Sequence, residues 1–125
     1  LGILEEASRS GLVHTAVNTA DVTLMCNCCN DCCIEFQTLK KCDIPLIQHY
    51  AKSRYEAQVD QDKCTGCKTC LSRCQFHAVR YSEKRGRSMV DMWNCYGCGL
   101  CAETCPEKAI TLLPRESIPA LKDEW

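Results

Sequence analysis

Apolar residues at positions 1, 3, 4 and 7, with Gly11 just beyond, follow one face of a short helix and predict one over residues 1–10. Residues 22–25 predict a brief strand, and residues 34–41 a second helix. Further on, residues 79–83 and 88–92 are strand-like stretches joined by Lys84-Arg85-Gly86-Arg87, a hairpin turn with Gly86 near its tip. Residues 55–59 and 109–113 supply a matching outer pair. The pattern changes character near residues 51–55, which divides the chain into a subdomain over 1–54, a domain over 55–113 and a tail over 114–125. Pro114 and Pro119 bracket that tail, which is expected to leave the packed domain or to lie across its surface.

An internal repeat underlies the second domain. Cys64, Cys67, Cys70 and Cys74 recur 31 residues later as Cys95, Cys98, Cys101 and Cys105. The register extends to Gly66 and Gly97, Ala78 and Ala109, and Val79 and Ile110. Duplicated halves related by an approximate two-fold are the simplest reading, with each cysteine run forming a loop that leads into one short helical turn.

Composition sharpens this picture, because 14 of the 125 residues are cysteine and only eight are aromatic. A conventional apolar core is thin at that length, so something besides side-chain burial must hold the chain together. Fifteen basic and sixteen acidic residues give a net charge of −1, without the strong positive field of a nucleic-acid binder. No apolar run is long enough for a membrane helix, and a secretory signal is lacking, so the expected compartment is the cytoplasm. Clustered cysteines in a reducing compartment point to metal or redox chemistry rather than to disulfides. The chain begins at Leu1, which reads as a processed product or a piece of a longer polypeptide.

Each repeated run is C-x2-C-x2-C-x3-C, and Pro106 follows the second. This spacing resembles the bacterial-type two-cluster ferredoxins, over residues 55–112. The resemblance implies an α+β fold, a ferredoxin-like module with pseudo-two-fold symmetry, carrying two 4Fe-4S clusters. It assigns Cys64, Cys67, Cys70 and Cys105 to one cluster, and Cys95, Cys98, Cys101 and Cys74 to the other. Zinc fits the runs poorly, since a tetrahedral ion has no use for the third step or the repeated fourth cysteine. Gln75 departs from the family, where proline commonly follows the fourth cysteine. Gln75 keeps a backbone N–H, an extra donor beside the Cys74 cluster.

Gly66, Gly97 and Gly99 have two readings, as sites where backbone amides approach cluster sulfurs or simply as tight turns. Trp93 and Tyr96 flank Cys95 and either shield a cluster or pack the hairpin. His77 reads as an exposed loop residue. Arg80, Lys84, Arg85 and Arg87, with Glu83 among them, form a solvated turn or a docking patch for an acidic partner.

Six cysteines remain outside the repeat: Cys26, Cys28, Cys29, Cys32, Cys33 and Cys42. Neighbouring side chains diverge, so Cys28-Cys29 and Cys32-Cys33 cannot readily face one ion; a ligand subset with bystanders, or two separate ligand sets, is expected. Cys29 and Cys32 have the x2 step that chelation favours. Four accounts stay open: a third iron-sulfur cluster with an open iron, structural zinc, a redox-active thiol pair, and inert buried cysteine. His14 is a candidate nitrogen ligand or a packed side chain. The order of Gly-Leu-Val-His, a dense cysteine patch and a two-cluster module resembles an arrangement in iron-sulfur proteins of anaerobes.

The expectation is an electron carrier with two 4Fe-4S clusters and a third metal centre in an irregular cysteine-rich N-terminal subdomain. The alternatives are the electron-input domain of a larger oxidoreductase with a reactive N-terminal iron, and a zinc-stapled ferredoxin. No Ser-His-Asp set, phosphate loop or nucleotide fingerprint occurs, so no catalytic residue is assigned. The expected partner is a redox protein or an adjoining oxidoreductase domain, with neither nucleic acid nor a membrane span.

Overall fold

A computed structural model describes residues 2–17 and 19–122 and divides the chain into two units, Leu1–Ala51 and Lys52–Trp125. Each mixes short helices with two-stranded antiparallel sheets. Among the described residues no helix is long and apolar enough to cross a membrane.

In the first unit, helix α1 spans Gly2–Arg9 and buries Ala7. The first position of its apolar stripe, Leu1, lies outside the described residues. Strand β1 (Val13–Ala16) pairs with β2 (Met25–Cys28), with Val13 opposite Cys28 and Thr15 opposite Cys26. The strand expected at 22–25 therefore begins three residues later, and its partner was not anticipated. Val22 and Leu24 are exposed, while the ladder forms where β1 offers a partner; pairing and side-chain packing, rather than local apolarity, place short strands. Alternation along the strands puts Val13, Thr15, Cys26 and Cys28 on one face and His14 and Asn27 on the other. Helix α2 (Ile34–Lys41) turns Phe36 and Leu39 inwards, and Tyr50, after a 3-10 turn at Leu46–Gln48, stacks on Phe36.

The second unit runs β3 (Tyr55–Val59), α3 (Thr69–Arg73), β4 (Val79–Ser82), β5 (Arg87–Val90), α4 (Leu100–Glu103) and β6 (Ile110–Pro114). The hairpin pairs β4 with β5, and β3 pairs with β6 across most of the unit's length, Val59 opposite Ile110 and Tyr55 opposite Pro114. Both pairings lie within a residue or two of the positions that the hydrophobic pattern predicts.

The 31-residue repeat reappears in the backbone. Gly66 and Gly97 have φ of +74° and +68°, Lys68 and Gly99 of +65° and +85°, and His77 and Lys108 of +54° and +48°. The Asp60 amide donates to the Ala109 carbonyl and the Asp91 amide to that of Ala78. The two aspartates, themselves 31 apart, each turn a carboxylate back onto the following amides, Asp60 onto Asp62 and Lys63, Asp91 onto Trp93.

The core of this unit is made of Ala57, Cys70, Ala78, Val79, Cys95, Cys101 and Ile110. Three of these seven side chains are thiols. Of the two courses expected for the segment after Pro114, leaving the domain or lying across it, the segment does not leave: a 3-10 turn at Arg115–Ser117 leads back, and Arg115, Ile118 and Leu121 are buried. Residues 123–125 of that tail lie outside the described residues. The Arg115 guanidinium donates to the carbonyls of Ser53 and Cys95, and this satisfied charge anchors the segment.

Gly97 and Gly86 separate torsional strain from crowding. Both have φ near +65°, +68° and +63°, so alanine costs about 1–2 kcal/mol at either through its torsion. A Cβ on Gly97 would fall onto the Tyr55 carbonyl and the Ser53 hydroxyl, whereas one on Gly86 meets only the Tyr81 hydroxyl at 3.8 Å. Gly97→Ala is expected to destabilise the anaerobically prepared protein by about 1–3 kcal/mol more than Gly86→Ala, measured by denaturant unfolding. Equal losses would show that the Tyr55 contact does not constrain the loop.

Candidate metal centres

Two hollows open in the second unit. Cys64, Cys67, Cys70 and Cys105 line the first, about 320 Å³ of space partly open to solvent. Cys74, Cys95, Cys98 and Cys101 line the second, about 340 Å³. In each, three cysteines come from one run and the fourth from the other. The C-x2-C-x2-C portion winds along the loop into α3 or α4, while the x3 cysteine leaves at the helix end and crosses over.

The thiols are crowded and poorly solvated. Burial first, and then the charges of Cys98, Cys95, Cys74 and Cys70, push Cys101 up to about 12. Burial likewise raises Cys98 and Cys70. Cys67, at the surface, is lowered by its hydrogen bond with Thr69. A set of thiolates this close repels itself in a low-dielectric setting, so together they are stable only around a cation or as neutral thiols. Cys70 belongs to the first hollow yet acts on Cys101 in the second, so the two groups lie within electrostatic reach of each other.

Donors already point at the sulfurs. The amides of Ala78 and Ala109, 31 residues apart, lie 3.2 and 3.3 Å from the Sγ atoms of Cys74 and Cys105. The Gly97 amide lies 3.4 Å from Cys95 Sγ, so that glycine serves both readings considered for it, a tight approach and a sulfur contact. Arg87 donates to the carbonyl of Cys64 and Arg115 to that of Cys95, so the first cysteine of each run is held by a guanidinium.

The walls of the hollows differ. Thr65, Thr69, Ser88 and Glu107 line the first; the residues at the corresponding positions of the repeat, Tyr96, Leu100, Ala57 and Phe76, line the second. Every one of these four exchanges sets a polar side chain against an apolar or aromatic one. Ser88 is buried and its Oγ lies 3.4 Å from Cys70 Sγ. Phe76 and Tyr96 stack with centroids 4.3 Å apart. Trp93, by contrast, is exposed, so of the two aromatics flanking Cys95 only Tyr96 belongs to the wall. Ser88 and Phe76 escaped the sequence reading, although the 31-residue register, extended from the cysteines to their neighbours, pairs both with their counterparts.

The basic residues of the hairpin do not act as one group. Arg80 pairs with Asp91 at 3.4 Å, Arg87 is committed to Cys64, and Lys84 and Arg85 remain exposed beside Glu83. His77 is exposed, as expected.

The N-terminal cysteines fall into two groups. Cys28 is buried, its thiol hydrogen-bonded with that of Cys33 and close to Cys26; burial first, and then Cys33, push it up to about 11. Tyr50 borders this group, with its hydroxyl donating to Glu35 at 2.6 Å. Cys29 and Cys32 form the other group, Sγ to Sγ 2.9 Å, with the Asp31 carboxylate within 4.8 Å of both. The adjacent pairs are thus split, one cysteine of each to either group. Cys42 is exposed after α2. The His14 ring nitrogens are engaged by Ser8 Oγ at 2.8 Å and Asn27 Oδ1 at 2.7 Å, on the opposite strand face from Cys26 and Cys28.

No curated protein matches this chain. Residues 57–112, just under half of it, match the family described as a 4Fe-4S dicluster domain. That span opens inside β3 and closes inside β6, and it encloses both hollows with all their cysteines; the match supports an iron-sulfur domain of ferredoxin-like type in this part of the chain.

Proposed function

We propose that the chain carries electrons through two 4Fe-4S clusters, one held by Cys64, Cys67, Cys70 and Cys105 and the other by Cys95, Cys98, Cys101 and Cys74. The halves of the module are related by a pseudo-two-fold, and the N-terminal unit carries a metal centre of its own among Cys26 to Cys42. The observation that carries the reading is the gathering of each crossed set of four thiols around one hollow. When bound, each cube accepts and releases one electron at a time. The protein's part is to fix eight thiolates, limit water and aim amides and hydroxyls at sulfur. A redox protein or an adjoining oxidoreductase domain is the matching partner.

The unequal walls make the two clusters unequal. Reduction adds a negative charge, which an apolar wall opposes and a hydroxyl or solvent supports. Ser88 and Thr69 favour the reduced state in the first hollow; the exposed Glu107 opposes it, but its field is screened. The Phe76–Tyr96 wall disfavours it in the second. An electron shared between the clusters therefore rests on the one nearer Ser88.

Three outcomes test this reading. Anaerobically prepared protein is expected to contain about eight irons and eight acid-labile sulfides in the ferredoxin module, and serine substitution at Cys64 or Cys95 should cost about half of them. Redox-poised paramagnetic resonance should resolve two midpoints. Ser88→Ala should lower only the higher one, by about 40 mV if the hydroxyl contributes about 1 kcal/mol; a single midpoint that ignores Ser88→Ala and Ala57→Ser would remove the asymmetry. Because thiols raised by burial must ionise to bind iron, cluster insertion should release protons and be favoured by rising pH, which an indicator dye reads directly during reconstitution.

A further inference from the structure

Five thiols crowd into the eight residues from Cys26 to Cys33, and the ferredoxin module needs none of them. Cys29, Asp31 and Cys32 offer two sulfurs and a carboxylate oxygen that all lie within 4.8 Å of one another. The sulfurs themselves are 2.9 Å apart. That is far closer than two thiolates on separate irons of a cube can stand, so this pair suits a single ion. Two thiolates on tetrahedral zinc, with Zn–S about 2.3 Å, sit about 3.8 Å apart. An opening of under about 1 Å would therefore admit the ion between them.

The turn that presents these ligands is pinned from outside. Gln37, on α2, donates from Nε2 to the carbonyls of Asn30 and Asp31, 2.9 Å each, and the Cys33 amide donates to the Cys29 carbonyl. Holding the carbonyls of the intervening residues fixes the turn while leaving the Cys29, Asp31 and Cys32 side chains unencumbered by those contacts. Cys28 and Cys33 are directed away, towards Cys26, Thr15 and Tyr50, so they do not compete for the same ion. Cys32 and Asp31 are exposed and Cys29 is half-buried, which leaves one side of the set facing solvent.

We propose that Cys29, Cys32 and Asp31 bind one divalent zinc-class ion, with the fourth coordination position open to water or to an exogenous ligand. Two thiolates favour a borderline-soft metal over magnesium or calcium. Three protein ligands with an open position are the pattern of exchangeable and reactive sites, whereas buried structural zinc is closed by four. The ion exchanges with the medium, unlike the clusters. This rests on reading the N-terminal unit as a metal carrier and specifies which residues bind and what they bind.

The full chain, prepared anaerobically with its clusters, tests both levels. Zinc, iron and sulfide are measured per chain, and cobalt(II) is then exchanged into the site for its thiolate charge-transfer absorption. The expected result is about one zinc, removable by a mild chelator with no loss of cluster absorbance. Cys29→Ser with Cys32→Ser should abolish both the zinc and the cobalt band while iron and sulfide stay unchanged. Cys28→Ala with Cys33→Ala should retain both, and Asp31→Asn should weaken binding and shift the cobalt bands. Zinc that survives in the Cys29/Cys32 variant but is lost in the Cys28/Cys33 variant overturns the ligand assignment and leaves the N-terminal metal in place. About twelve irons and no zinc would replace the ion by a third cluster. No metal beyond the two clusters, with a chain mass lighter by two hydrogens, would overturn the metal reading altogether in favour of a Cys29–Cys32 disulfide.

Discussion

The burial of several cysteine side chains close together is the constraint on which the second unit depends. Cys70, Cys95 and Cys101 occupy positions where another small domain would place leucine or valine, and burial raises Cys70 and Cys101, so that their charged forms call for a cation beside them. Interior and proposed cofactor site are therefore the same place. Ala57, Ala78 and Ala109 are small because the sheets must come close to the hollows, and the aliphatic contribution is correspondingly slight. Arg115 fits the same logic: a buried guanidinium holds the Cys95 and Ser53 carbonyls where apolar mass is lacking to do so.

Much of this unit is legible in the sequence because the repeat supplies two copies of each constraint. The cysteine spacing places the loops and helical turns, and the hydrophobic runs place β3, β4, β5 and β6 to within a residue or two. What escapes is whatever departs from the repeat. Ser88 and Phe76 differ from Ala57 and Glu107 at the matching positions, and a reading that stops at the shared residues passes over them. Arg115 and Leu121 lie beyond the duplicated span, and Pro114 looks like a terminator, yet the chain turns back there and buries both side chains.

The first unit is less legible for a physical reason. It has neither a repeat nor a sustained apolar stripe, and its two strands are four residues each. Neither a repeat nor a tight hairpin turn sets their register, as the turn between β4 and β5 does, so Val22 and Leu24 attract the prediction while Met25–Cys28 form the ladder. His14 shows the same limit. Its ring suits a metal on paper, but strand alternation turns it to the face opposite Cys26 and Cys28, and Ser8 and Asn27 take its nitrogens. The split of the cysteines into two groups does follow from local geometry alone, since adjacent side chains must diverge.

The pairing of β3 with β6 has a consequence for how the molecule is made. The chain leaves the ribosome in order, so Cys64, Cys67 and Cys70 emerge well before Cys105, and β3 waits for β6 as its ladder partner. Throughout that interval the nascent domain exposes an unfinished set of thiols and an unpaired strand edge. The first hollow stays open until Cys105, Ala109 and Ile110 have emerged, whereas every residue that lines the second has emerged by Cys101. The first hollow is thus closed only once β6 begins to leave the ribosome, and until then Cys64, Cys67 and Cys70 stand without their fourth partner, open to oxidation.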